Sequence, residues 1–400
     1  MSRLLLSVFV ALLLIGCDLD GRQPPPESSF PDVVWSIPFT ENYVTAVQPL
    51  IENERVYLAL GPTVRCYELS SGDLCWKTRM LDRDQDIGGR EILDSADRLF
   101  IHSGARVHSY MKSDGHLAWS TVVPNFTLTA FARAASTEQH IFLGGEGEIV
   151  RLRKSDGFVD LRIPVDTLQA EGVVQSVRNV RVQDGTLFAP TVYFRPSFGV
   201  IEGNAFAFDV DTGDLKWARR LPNPEVSSSG SEDSVRLDSG AYALAANENR
   251  VVVPAGQVVY AFEPSSGELV WERFFPDDGF STAVRIEDDV AYVGGNSSTL
   301  YALNVESGDL RWKTETSGTL TTRFTLLDGW IYFCNELSGD IWILNLETGS
   351  VIHRGVPPRH GEQNSFNTFV SPLAVSEQYM VNVGGRKIFA LTRPRPNTDP

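Results

Sequence analysis

The chain has 400 residues, 42% hydrophobic and 22% charged, an ordinary composition for a globular protein. Its 35 basic and 51 acidic residues leave a net charge of −16. A field of that sign repels phosphate backbones, which argues against nucleic acid as a partner and against an anionic lipid surface read by a basic face.

The first segment in chain order is an export signal. Arg3 precedes the apolar run Leu4 to Ile15, and 12 residues are too few to span a bilayer but fit a signal-peptide core. The run ends in Leu14-Ile15-Gly16-Cys17, which resembles the lipobox of bacterial lipoproteins. Plain secretory cleavage would prefer a small-x-small pattern, absent here. The resemblance implies that residues 1–16 are removed and that the Cys17 thiol is acylated. Asp18 resembles the inner-membrane retention signal of enteric bacteria, so the lipobox leaves inner and outer membrane both open. Residues 17–31 are polar and rich in proline, the composition of a tether.

From there self-similarity dominates. The clearest copy of the repeat is Ala207-Phe208-Asp209-Val210-Asp211-Thr212-Gly213-Asp214-Leu215-Lys216-Trp217, and another runs from Ala302 through Gly308 to Trp312. A third runs from Ala261 through Gly267 to Trp271, and weaker copies centre on Gly72 (Trp76), Gly115 (Trp119), Gly157 and Gly349. Leu161 and His353 stand in the Trp place of the last two. The turn glycines are 43, 42, 56, 54, 41 and 41 residues apart. A period of 40 to 45 with further β-rich stretches before each copy predicts a four-stranded meander per repeat, hence a β-propeller.

The motif has a local logic. A turn ending in glycine closes a hairpin with a left-handed residue. The resulting register sets Ala207 opposite Trp217, so a small residue leaves room for an indole that cements neighbouring blades. By the same register Cys66 faces Trp76 and Cys75 faces Tyr67. That places the two thiols on opposite faces and argues against a disulfide, leaving both as packing residues. Cys334 makes the number of cysteines within the fold odd.

Eight inner-strand stretches accompany the seven turns. The last unit, from Ser371 to Leu391, lacks its closing strand, and Val33-Val34-Trp35-Ser36-Ile37 stands unpaired at the other end. An N-terminal strand that completes the last blade closes the ring. The prediction is an all-β propeller over residues 32–394 with eight blades, seven being the alternative, and a C-terminal tail at 395–400.

The eleven-residue pattern resembles the tryptophan-docking motif of the pyrroloquinoline-quinone (PQQ) propeller superfamily. WD-repeat blades fit less well, because they put Asp after the Trp, where this chain has Lys77, Ser120, Ala218, Glu272 and Lys313. Signal peptide, lipobox and a single propeller of this length together resemble the BamB family, lipoprotein scaffolds of the outer-membrane β-barrel assembly machinery. That resemblance implies a non-catalytic protein of the cell envelope, facing the periplasm and bound to an envelope protein such as a β-barrel assembly component.

Two alternatives belong to other classes. A quinoprotein dehydrogenase would need PQQ, calcium and an Asp base. Many alcohol-oxidising members also carry adjacent cysteines, and neither such a pair nor a Cys-x-x-Cys-His haem motif occurs here. A periplasmic small-molecule sensor would use the central funnel. His102, His108 and His116 fall close together in the second repeat, with no Cys or paired carboxylate at ligand spacing, so no metal is expected.

The two long intervals hold the candidate contact residues. One contains Tyr193, Phe194, Arg195 and Phe198, in a segment read as an inserted loop of residue types enriched at binding hot spots. The other, Pro222 to Gly240, is polar and acidic and reads as a flexible loop.

Overall fold

The computed structural model describes residues 31–39, 47–80, 92–103, 105–126, 133–165, 175–195, 200–222, 225–227, 234–280, 283–316, 323–335, 340–355, 371–384 and 387–394. The predicted signal peptide, Cys17 and the tether before residue 31 lie outside the described residues, as does the tail after Arg393 and Pro394. Among the described residues there is no helix.

Eight antiparallel sheets form the blades of a propeller. Blade one runs from a short inner strand, Leu50–Glu52, through Arg55–Leu60 and Thr63–Glu68 to the outer strand Leu74–Arg79. Blades two to seven repeat the plan over 93–122, 135–164, 176–221, 245–274, 283–315 and 325–355. Blade eight takes Ala374–Val375, Tyr379–Gly384 and Lys387–Thr392 from the C-terminal end, and Val33–Pro38 pairs on its last strand. The N-terminal strand thus closes the ring, as the unpaired stretches at the two ends predict.

The second and third strands of each blade read as near-continuous apolar runs because both faces are buried against neighbouring blades. Val251–Ala255 and Val258–Phe262 are buried at every position. Outer strands alternate instead: in Leu74–Arg79, Trp76 is buried while Leu74, Lys77 and Arg79 are exposed.

The repeat motif builds the seams between blades. Ala207, Ala261, Ala302, Cys66 and Ser109 pair with Trp217, Trp271, Trp312, Trp76 and Trp119, and a bulge follows each pair. Each indole lies over the turn glycine of the next blade. Trp76 meets Gly115, Trp119 meets Gly157, Trp217 meets Gly267, Trp271 meets Gly308 and Trp312 meets Gly349. Gly115 shows why glycine is required twice over. Its φ is +71°, and a Cβ there would sit 2.4 Å from Trp76 Cε3. The indole N–H then donates across the seam, from Trp76 Nε1 to the Lys112 carbonyl at 3.0 Å and from Trp271 Nε1 to Val305 at 2.9 Å. Two residues on, Thr78 and Thr314 donate to the carbonyls of Gly115 and Gly349 at 2.7 and 2.6 Å.

Trp35 completes the set. It pairs with Ala390 and lies over Gly72, and its Nε1 donates to Leu69 at 2.8 Å, so the closing strand seals blade eight to blade one with the same device. Two seams differ: Gly213 of blade four meets Ile163 and Leu161 of blade three, with no indole, and blade seven carries His353 in the Trp place toward blade eight.

The bulge corrects the expected cysteine geometry. Tyr67 pairs with Leu74, so Cys75 becomes the extra residue beside Trp76 opposite Cys66. The two thiols are therefore close enough to share a hydrogen bond rather than lying on opposite faces. Both are free, and Cys75 Sγ also donates to Glu68 Oε1 at 3.2 Å. Burial, followed by the Cys75 contact, pushes the Cys66 thiol well above its ordinary range.

Candidate functional site

The two long intervals of the sequence meet at blade four. Thr186–Arg195 and Val200–Asp209 are strands of 10 residues each, paired in one register from Thr186↔Asp209 to Arg195↔Val200. The segment read as a loop is thus the far half of a long hairpin. Two short strands, Ser176–Val177 and Arg181–Gln183, pair on its inner side and make this the one five-stranded sheet among the described residues.

Because the segment is a strand, its side chains alternate. Tyr193 turns inward with 3% exposure, and Phe194 turns outward with 58%. Tyr193 is thus a packing residue of the hairpin and not the exposed aromatic that a loop would present. Its hydroxyl donates to Glu202 Oε2 at 2.5 Å, and Glu202, fully buried, also receives Arg220 at 2.8 Å. Pairing and hydrogen bonding on both oxygens offset the cost of burying that carboxylate. A second buried network lies deeper in the hairpin. Thr191 and Asn204 both donate to Gln175 Oε1, at 2.7 and 2.8 Å, and Gln175 Nε2 donates to Val165 at 2.8 Å. Arg195 ends the described arm; its side chain and all of Phe198 lie outside the described residues.

The polar connection from Pro222 to Gly240 is built against this hairpin. Its Glu225–Ser227 and Ser234–Arg236 pair as a small hairpin of their own. Further on, Asp238 Oδ1 accepts from the Ile201 backbone at 2.8 Å, and Ser239 Oγ donates to the Leu221 carbonyl at 3.0 Å. Gly203 and Gly240 allow the close approach: a Cβ on Gly203 would meet the Ser239 carbonyl oxygen at 2.5 Å. The connection read as a flexible loop is therefore ordered at both ends of its described part. Its most polar stretch, residues 228–233, lies outside the described residues.

Other candidates keep structural places. His102 and His108 are buried on adjacent strands of blade two, and His116 is exposed in the turn. His353 sits buried opposite Ile343, in the Trp place of blade seven. Among the described residues no three His, Cys, Asp or Glu side chains gather as they would around a metal ion.

The family model of outer membrane protein assembly factor BamB matches residues 61–257 and 255–394 of this chain. The chain belongs to the BamB family. The BamB of Yersinia pestis is 21% identical over 423 aligned positions, covering 98% of this chain and 99% of that protein. Among solved structures, BamB from Moraxella catarrhalis superposes with a TM-score of 0.62 at 15% identity, covering 91% of this chain and all (100%) of that one. A europium-containing methanol dehydrogenase superposes with a TM-score of 0.67 at 9% identity, covering 90% of this chain and 93% of that one. Both likenesses, at 15% and 9% identity, are of fold alone.

Proposed function

We propose that this chain is a non-catalytic, lipid-anchored scaffold of the bacterial envelope that holds protein components together during outer-membrane β-barrel assembly. The family match across both halves of the propeller carries the reading. The blade-four extension supports it, because a hairpin longer than ring closure requires presents Phe194 to solvent on a rigid base. In this reading Cys17 carries the acyl chains that hold the protein on the membrane, facing the periplasm. Two or three chains anchor stably where one does not. The partner is an envelope protein, and no cofactor enters the function. Phe194, with Arg195 and Phe198 beyond it, forms the contact, and Tyr193 positions Phe194.

Affinity capture of the tagged, lipidated protein from detergent-solubilised host membranes tests this. The expected result is stoichiometric recovery of an outer-membrane barrel protein with periplasmic domains. Recovery of the propeller alone overturns the stable-complex reading and turns attention to a quinoprotein role, with PQQ and calcium added next.

A further inference from the structure

The bulge of the seam motif recurs around the ring while the side chains at it change. The residue facing the indole and the extra residue of the bulge are Ala207 and Lys216 in blade four, Ala261 and Val270 in blade five, and Ala302 and Arg311 in blade six. In blade one both are cysteines, Cys66 and Cys75. A bulge sets its extra residue and the next one opposite a single residue of the facing strand, so Cys75 and Trp76 both oppose Cys66. Packing agrees: Cys75 lies against the buried cluster that contains Cys66, Trp76 and Tyr57.

The two thiols differ in access. Cys66 is fully buried, Cys75 is half-buried, and both are free. Cys75 Sγ donates to Glu68 Oε1 at 3.2 Å, and the same oxygen receives Arg55 Nε at 3.5 Å. A reachable thiol with a carboxylate to take its proton thus lies beside a second thiol that solvent does not reach. That arrangement suits attack by the first and resolution by the second. Burial raises both thiols, and the Glu68 contact adds to it at Cys75. Thiolates are therefore scarce at neutral pH and closure is slow. For the same reason a closed bond has two poor leaving groups and resists reduction.

We propose that Cys66 and Cys75 are a disulfide-forming pair that an external disulfide oxidises, stapling the third and outer strands of blade one beside Trp76. Glu68 takes the Cys75 proton, and the thiolate attacks one sulfur of the oxidant, breaking its S–S bond and releasing one thiolate. Cys66 then gives up its proton and attacks Cys75 Sγ, releasing the other. Two electrons pass to the oxidant, and the two protons leave with its thiols. Closure would fix the strand that carries Trp76, whose Nε1 bonds Lys112 of blade two, and so tighten the first seam. The inference rests on the envelope reading only for an oxidising compartment. The chemistry is measured on the purified chain, apart from partner capture.

The test is oxidation of the reduced, folded full chain with oxidised glutathione at mildly alkaline pH, followed by N-ethylmaleimide and trypsin. Cleavage after Arg65 and Lys77 yields one peptide, Cys66 to Lys77, with both thiols and no other cysteine. That peptide is expected without maleimide and two hydrogens lighter than its reduced form. The oxidised chain should melt at or above the reduced one, by up to about 4 °C. Cys66→Ala installs the residue that blades four, five and six hold at this place. It should trap Cys75 as a mixed disulfide with glutathione that dithiothreitol releases. Maleimide on both cysteines, a mixed disulfide that persists in the wild type, or closure seen only in urea overturns the proposal. So does an unmodified Cys75 in Cys66→Ala. A Tm lowered by closure would equally overturn it, because the native bulge would then not accommodate the bond.

Discussion

Blade two and blade four follow one strand plan and put it to different uses. Blade two is sealed at both seams by indoles: Trp76 lies over its Gly115, and its own Trp119 lies over Gly157. Blade four receives Ile163 and Leu161 on Gly213 where an indole would be. It also adds an inner strand and extends its central hairpin to arms of 10 residues. Polar groups around Glu202 and Gln175 form bonded networks, although Asn179 Oδ1 is buried with no partner among the described residues, as His102 Nδ1 is in blade two. The regular blade serves ring closure. In blade four, polar networks hold in place a structure that ring closure does not need.

The largest expected effect separates the two kinds of seam. Trp76→Ala should cost about 3–5 kcal/mol, through the loss of the buried ring and of its bond to the Lys112 carbonyl. Ile163→Ala should cost roughly 2–4 kcal/mol, with no hydrogen bond lost. Urea unfolding of both variants, read as midpoint shifts at constant slope, gives the comparison. Equal losses would show that the indole contributes only apolar area.

The seams are also where the sequence was most legible. Turn chemistry and strand alternation are local, so Thr212-Gly213 and the pairing of Ala207 with Trp217 can be read from eleven residues. Trp35 has the same role, but its partner Ala390 lies at the far end of the chain, and no local pattern joins them. The bulge beside Cys66 shifts the register by one, which a count along the hairpin does not reveal. At blade four, the long interval between turn glycines suggested an inserted loop, when the segment continues the strands of a hairpin.

The second effect concerns acid. Burial lowers His102 to about 4, so the folded state keeps this ring neutral while the unfolded chain protonates it below about 6.5. Its contribution is fully present above pH 6.5 and is lost as pH falls toward 4, on the order of 3 kcal/mol over that window. His353, also lowered by burial, acts in the same direction. Unfolding free energies at pH 7 and 4.5 should diverge less in His102→Leu than in the wild type. An unchanged difference would mean that His102 is protonated within the fold.

The smallest effects on stability distinguish two neighbours in blade four. Tyr193→Phe removes the hydroxyl that donates to a fully buried carboxylate and should cost about 1.5–3 kcal/mol. Phe194→Ala, at a ring 58% exposed, should change stability by less than about 0.5 kcal/mol. For partner capture the order reverses. If the outward ring is the contact, Phe194→Ala should weaken recovery of the barrel-assembly partner by about tenfold or more in a protein whose melting curve is unchanged. Tyr193→Phe keeps both the ring and the strand register, so capture should survive its loss of stability. Capture that follows stability in both variants would remove the hairpin face from the contact and leave its polar networks as reinforcement of blade four alone.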